Sequence, residues 1–139
     1  MKHPVGELAM LQPSDFEVNE AWIAFRANDS FLYVKDEPYD VYVLMDAAST
    51  YLLGQALSRT VDESPDVKEI EALFRTAWSA KRQWAKKLLV PEGSLAEEVF
   101  KNQAEKSGLA FITMPLSELR PLVGPVKESF AAYLRQARS

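Results

Sequence analysis

The run Val41-Tyr42-Val43-Leu44-Met45 is almost wholly apolar over a strand's length, as expected of a strand covered on both faces. Such a strand needs a layer above the sheet and another below it. Asp46-Ala47-Ala48-Ser49-Thr50 ends the run with turn chemistry, and Tyr51-Leu52-Leu53-Gly54-Gln55-Ala56-Leu57 follows at once. A connection that short joins antiparallel neighbours, so the two strands form a hairpin.

The rest of the chain supplies the layers. Ala21 to Ala27 reads as a first strand, bounded by the turn residues Asn28-Asp29-Ser30, and Phe31-Leu32-Tyr33-Val34 is either a short strand or an extended connection. Ser64-Pro65-Asp66 combines a capping hydroxyl, a first-turn proline and an acid, and so predicts a helix start. Val67, Ile70, Leu73, Phe74, Ala77 and Trp78 then make one apolar stripe up to Lys81. Leu88-Leu89-Val90 is a short buried strand stopped by Pro91-Glu92-Gly93. Ser94 and Glu97 have capping-box spacing before a helix that ends at Gly108. Leu109 to Met114 is the next strand, Ser117 caps a single turn through Arg120, and a last helix begins at Gly124-Pro125. Residues 1–18, with the apolar stretch Leu8-Ala9-Met10-Leu11, form an N-terminal arm, and 19–139 form the domain. A hairpin start followed by β-α-β-α alternation gives an α/β three-layer domain: a mixed five-stranded sheet with helices on both faces.

Composition narrows the chemistry. The 139 residues include no cysteine and one histidine, His3, which removes cysteine zinc sites and histidine-centred catalysis. Sixteen basic against twenty acidic residues leave a net charge of −4, which argues against general affinity for polyphosphate. No apolar run approaches a membrane span, and Met1-Lys2-His3-Pro4-Val5-Gly6 lacks the apolar core of a secretory signal. The expectation is a bacterial-type cytoplasmic protein without membrane contact. Any reaction would rest on carboxylates, hydroxyls or lysines.

Five segments carry a resemblance to a known family. Trp22-Ile23-Ala24-Phe25, then Val43 through Gly54, then Leu88-Leu89-Val90-Pro91-Glu92-Gly93-Ser94, then Lys106-Ser107-Gly108-Leu109, then Gly124-Pro125-Val126-Lys127-Glu128-Ser129 follow one another in the order and apolar pattern of the catalytic core of retroviral integrases and transposases. The resemblance covers residues 21–137 and implies a ribonuclease H-like fold. It also implies phosphodiester chemistry on two divalent cations, Mg2+ or Mn2+, clamped by three carboxylates. The chain departs from that pattern at the acids themselves, where Phe25, Pro91 and Lys127 stand. None of the three offers a side-chain oxygen to a metal, so the resemblance implies a core that has lost its triad.

A shifted alignment makes Val41 to Asp46 the first strand and Asp46, Glu92 and Glu128 the triad. It leaves the Trp22 segment without a role, and a one-residue slip along a strand reverses the face of its side chain. Two of the acids also have a simpler reading: Asp46 as a turn acid, Glu92 as a carboxylate at a helix N-terminus. Ser49 and Ser94 have no histidine base within the domain, and Ser94 is better explained as a cap. Arg75, Lys81, Arg82, Lys86 and Lys87 with Trp78 and Trp84 could contact phosphates and bases, or form a solvated helix end over core indoles. The favoured reading is a domain with no catalytic residues and no cofactor, acting on a protein partner or on its own copies through sheet edges and the arm. The alternatives are a metal-dependent nuclease or phosphodiester transferase using Asp46, Glu92 and Glu128, and a small nucleic-acid-binding module.

Overall fold

A computed structural model of the chain describes residues 11–29, 32–62 and 64–138. Six strands and three helices follow one another as β1 (Ala21–Arg26), β2 (Leu32–Val34), β3 (Glu37–Asp46), β4 (Leu52–Arg59), α1 (Val67–Lys81), β5 (Lys87–Pro91), α2 (Glu97–Ser107), β6 (Ala110–Met114) and α3 (Leu116–Arg138). The three-layer expectation is met. Trp22 and Ala24 of β1 face a core closed by Ile70, Leu73 and Phe74 of α1 and by Val99 and Phe100 of α2. Ile23 and Phe25 face the opposite core, closed by Leu119, Leu122 and Val123 of α3. The period of two along the strand sends alternate side chains to different helices. Among the described residues, no helix is long and apolar enough to cross a membrane.

β1 runs antiparallel to β3, with Trp22 opposite Asp46 and Arg26 opposite Tyr42, and parallel to β5, with Ile23 beside Leu89. β6 adds parallel to β5, and β4 lies antiparallel on the far edge of β3. The expected hairpin of β3 and β4 is therefore present. Of the expected Phe31 to Val34 segment, Leu32–Val34 form the short strand β2, which makes the sheet six-stranded rather than five. Tyr39 pairs with Leu32 on one side and Arg59 on the other, so β2 continues the line of β1 along the same edge of β3. Asn28, buried between the two, bridges the break: its Oδ1 accepts from Val41 N–H at 2.8 Å and its Nδ2 donates to the Tyr39 carbonyl at 3.0 Å. The side chain stands in for a missing stretch of ladder.

Three local readings shift. α1 starts at Val67 with Asp66 at its N-cap, two residues past the Ser64 signal, and Asp66 makes no side-chain cap bond. Ser94 and Glu97 do not form the expected capping box: the N-cap of α2 is Ala96, without a side-chain cap bond, while Ser94 Oγ accepts from Ala96 N–H at 3.1 Å and Glu97 Oε1 from Gly93 N–H at 3.2 Å in the turn ahead of the helix. α3 is one helix from Leu116 through Pro121 and Pro125, where a single turn and a separate helix were expected. Leu119, Leu122, Val123, Val126 and Phe130 recur at three- and four-residue spacing across both prolines, and their burial offsets the missing donors. Gly124 has no Cβ to clash with the Pro125 ring, which removes the usual bar to helical geometry before proline.

Of the N-terminal arm, residues 1–10, His3 among them, lie outside the described residues. The remainder packs onto the domain, with Leu11 and Phe16 against the α3-side core and Leu11 N–H on the Glu118 carbonyl at 3.3 Å.

Candidate functional site

The parallel strands β1 and β5 end together, because Ile23 lies beside Leu89 and two further residues bring Phe25 level with Pro91. Carboxyl ends of strands in an open α/β sheet are where ligand crevices form. A cavity of about 260 Å³ opens there, lined by Phe25, Arg26 and Tyr42 from the sheet, Pro91 to Leu95 beyond β5, and Leu116 and Lys127 from α3. Phe25, Pro91 and Lys127, three positions far apart in sequence, thus meet around one space.

Each of them is committed to its surroundings. Phe25 is 2 % exposed and belongs to the α3-side core. Pro91 ends β5, and the chain turns at Gly93, whose φ of +78° suits a residue without Cβ. Lys127 Nζ lies 3.1 Å from Asp29 Oδ1, with the lysine side chain mostly covered. Arg26 is paired in turn with the buried Asp40 at 3.5 Å. Burial pushes the Tyr42 phenol above its ordinary value, the Asp40 charge adds to the rise and Arg26 opposes it. A neutral phenol can hydrogen-bond here but is no nucleophile at neutral pH.

The resemblance implies two divalent cations held by three carboxylates, and the residues present do not fit that demand. Glu92 is the single carboxylate among the residues lining the cavity. Among the described residues, no group of three or more His, Cys, Asp or Glu side chains is placed to hold a metal ion. What the corner offers instead is an apolar lining of Phe25, Pro91, Leu95 and Leu116 beside the paired Arg26 and Lys127, suited to holding an apolar side chain.

The acids of the shifted alignment are not brought together. Glu128 is exposed beside a neighbouring cavity that shares Leu116 and Lys127 with the first. Asp46 sits at the other end of the sheet, opposite Trp22, which places it about 13 Å along the strands from the level of Glu92, at four residues of roughly 3.3 Å each. It is fully buried and holds a turn: Oδ2 accepts from Ser49 N–H at 3.0 Å and Ser49 Oγ at 2.8 Å, and Oδ1 from Asn19 N–H at 2.8 Å. Asn19 Oδ1 then accepts from Trp22 Nε1 at 3.0 Å, so Asp46 links the β3–β4 turn to the core tryptophan. Ser49 is a donor in that network, and Ser94 braces the turn ahead of α2 by accepting from Ala96 N–H.

The basic group lies at the same far end. Arg82 is stacked 5.1 Å from the Trp78 ring and Lys81 is 5.7 Å from that of Tyr51. Lys87 pairs with Glu20 at 3.5 Å, and Trp84 meets Trp22 edge-on at 6.0 Å. The indoles are largely engaged by the protein itself. Arg26, Asp29 and Tyr42 were not singled out from sequence as site residues. Only folding brings Arg26 and Tyr42 to the cavity and Asp29 to Lys127 at its edge, since each lies outside the matched motif positions.

No family model and no curated protein matches the sequence. Solved structures do. The chain is similar to the integrase of a simian T-cell lymphotropic virus intasome in complex with the PP2A regulatory subunit B56 gamma, at 14 % identity and a TM-score of 0.55 over 91 % of this chain. It is similar too to the HTLV-2 integrase catalytic core domain in complex with magnesium, at 16 % identity and 0.52 over 87 % for the trimeric form, and 15 % and 0.51 over 88 % for the dimeric form. The chain spans 43 % of the intasome protein and 75 and 77 % of the two isolated cores. Element order, sheet pairing and these superpositions agree: the chain has the fold of a retroviral integrase catalytic core, a ribonuclease H-like α/β architecture.

Proposed function

We propose that this domain keeps the integrase-core scaffold without its metal chemistry and works by binding a protein chain, either a separate partner or a second copy. One observation carries the reading: Phe25, Pro91 and Lys127 line a single cavity in which Glu92 is the only carboxylate. A two-metal displacement needs charge on both sides of the attacked phosphorus, and one exposed glutamate leaves that demand unmet. The similar intasome was solved with a regulatory protein subunit, and the similar cores in trimeric and dimeric forms, which supports protein contacts as a use of this fold.

Nucleic acid is the poorer partner for this chain. Its net charge is −4, and three of the five cations of the basic group, Arg82, Lys81 and Lys87, are engaged with Trp78, Tyr51 and Glu20. The phosphodiester reading would need Asp46, buried in its turn network, to reach Glu92 and Glu128. Incubation of the purified chain with labelled single- and double-stranded DNA and RNA, with Mg2+ and then Mn2+, tests the proposal. No cleavage or strand transfer is expected. Turnover that disappears in Glu92→Gln would refute it.

A further inference from the structure

β4 is bonded to β3 along one edge, and no described residue pairs with the other. The direction of its backbone groups follows from its neighbour. Val41 turns away from β4: its N–H donates to Asn28 Oδ1 at 2.8 Å and its carbonyl accepts from Ala27 N–H at 2.7 Å. At the register position where Val41 faces Leu57, neither residue bonds across the pair, so the Leu57 N–H and C=O point outward. Alternation gives the same direction to Gln55 and Arg59. The outer edge is a free row of donors and acceptors.

Sheet edges of this length are ordinarily protected by lysines, prolines or inward charges. The stretch from Tyr51 to Val61 holds no lysine, proline or acid, in a chain that is 26 % charged. Its one ionic residue, Arg59, is bound to Glu37 at 2.8 Å. Leu52 and Leu57 are 45 and 42 % exposed, and Tyr51 and Val61 more so.

We propose that two copies of the chain join through β4, antiparallel across a two-fold axis beside Ala56, to make one continuous sheet. The inference rests on the reading of this domain as a binding module and names its partner. A two-fold supplies an antiparallel strand with a matching edge, since an isologous contact sets the same surface against itself. With the axis beside Ala56, Leu57 lies opposite Gln55 of the second copy. Both have outward backbone groups and exchange two hydrogen bonds, twice over by symmetry. The Arg59 side chains fall at the two outer ends, so chains of net charge −4 meet along their uncharged segment.

Sedimentation equilibrium of the full chain at micromolar concentration, beside Gln55→Pro and Leu57→Lys, tests this. Proline at 55 removes an outward N–H that β3 does not use, and an edge strand tolerates it. Lysine at the half-exposed position 57 adds the charge that natural edges carry. The wild-type chain is expected at twice its 15.7 kDa mass and both variants at that single mass, with melting temperatures equal to that of the wild type diluted until it is monomeric. If Gln55→Pro melts below the diluted wild type, Leu57→Lys decides alone. A monomeric wild type overturns the proposal, as does a dimer that survives Leu57→Lys. A dimer formed elsewhere would leave the binding function standing. Metal-dependent cleavage on the same samples would remove that function without touching the dimer.

Discussion

Phe25 is 2 % exposed and part of the hydrophobic core on the α3 side. Phe25→Ala is therefore expected to cost about 3–5 kcal/mol of stability, the usual range for deleting a buried ring, read from urea unfolding. Retained stability would mean the ring is dispensable packing. Asp46→Ala leaves the Asn19 and Ser49 donors without their acceptor and is expected to cost roughly 2–4 kcal/mol. Tyr42 gives a pH signature. Its phenol is raised above the ordinary 10.0, so the folded chain holds that proton longer than the unfolded chain does. The stability tied to it is complete below pH 10 and lost as pH rises through the folded value. Alkaline unfolding curves of Tyr42→Phe, which keeps the ring against Phe100, should fall less steeply. The resemblance to the integrase core singled out Phe25, Pro91 and Lys127, because they stand where that family's motifs place its acids. It could not find Asn28 as a ladder substitute, since that role depends on β3 passing beside it.

Elements built on strong periodicity were legible, and those set by unusual backbone were not. The stripe of α1 is buried at Ile70, Leu73, Phe74 and Ala77, with its expected ends Val67 and Trp78 exposed, and the glycine stop of α2 falls at Gly108. The β2–β3 hairpin escaped notice because its two turn residues, Lys35 and Asp36, both take positive φ, a conformation that sequence reading associates with Asn-Gly or Gly-Gly. α3 escaped for the opposite reason. Proline normally ends a helix, yet here an apolar stripe continuing on both sides of Pro121 and Pro125 holds one together. Pro125 deprives the Pro121 carbonyl of its donor, so Pro125→Ala is expected to stabilise the chain by about 1–3 kcal/mol in urea titrations. Destabilisation would show that the ring itself supports α3.

At the scale of the whole molecule, the sheet and its helices have the integrase-core fold, and the corner at the carboxyl ends of β1 and β5 is lined by Phe25, Pro91 and Lys127 with Glu92 as the one carboxylate of that lining. The scaffold was readable from element order, but the convergence of Phe25, Pro91 and Lys127 on one cavity, and the removal of Asp46 to the opposite end, needed the strand register. Melting temperature against Mn2+ concentration tests the central claim most directly. A genuine site would add about 2.7 kcal/mol at a hundredfold excess over its dissociation constant, roughly a 10 °C rise for a domain of this size. The account predicts the same melting temperature with and without the metal, for the wild-type chain and for Glu92→Gln alike. A saturable rise in the wild type that Glu92→Gln abolishes would contradict it.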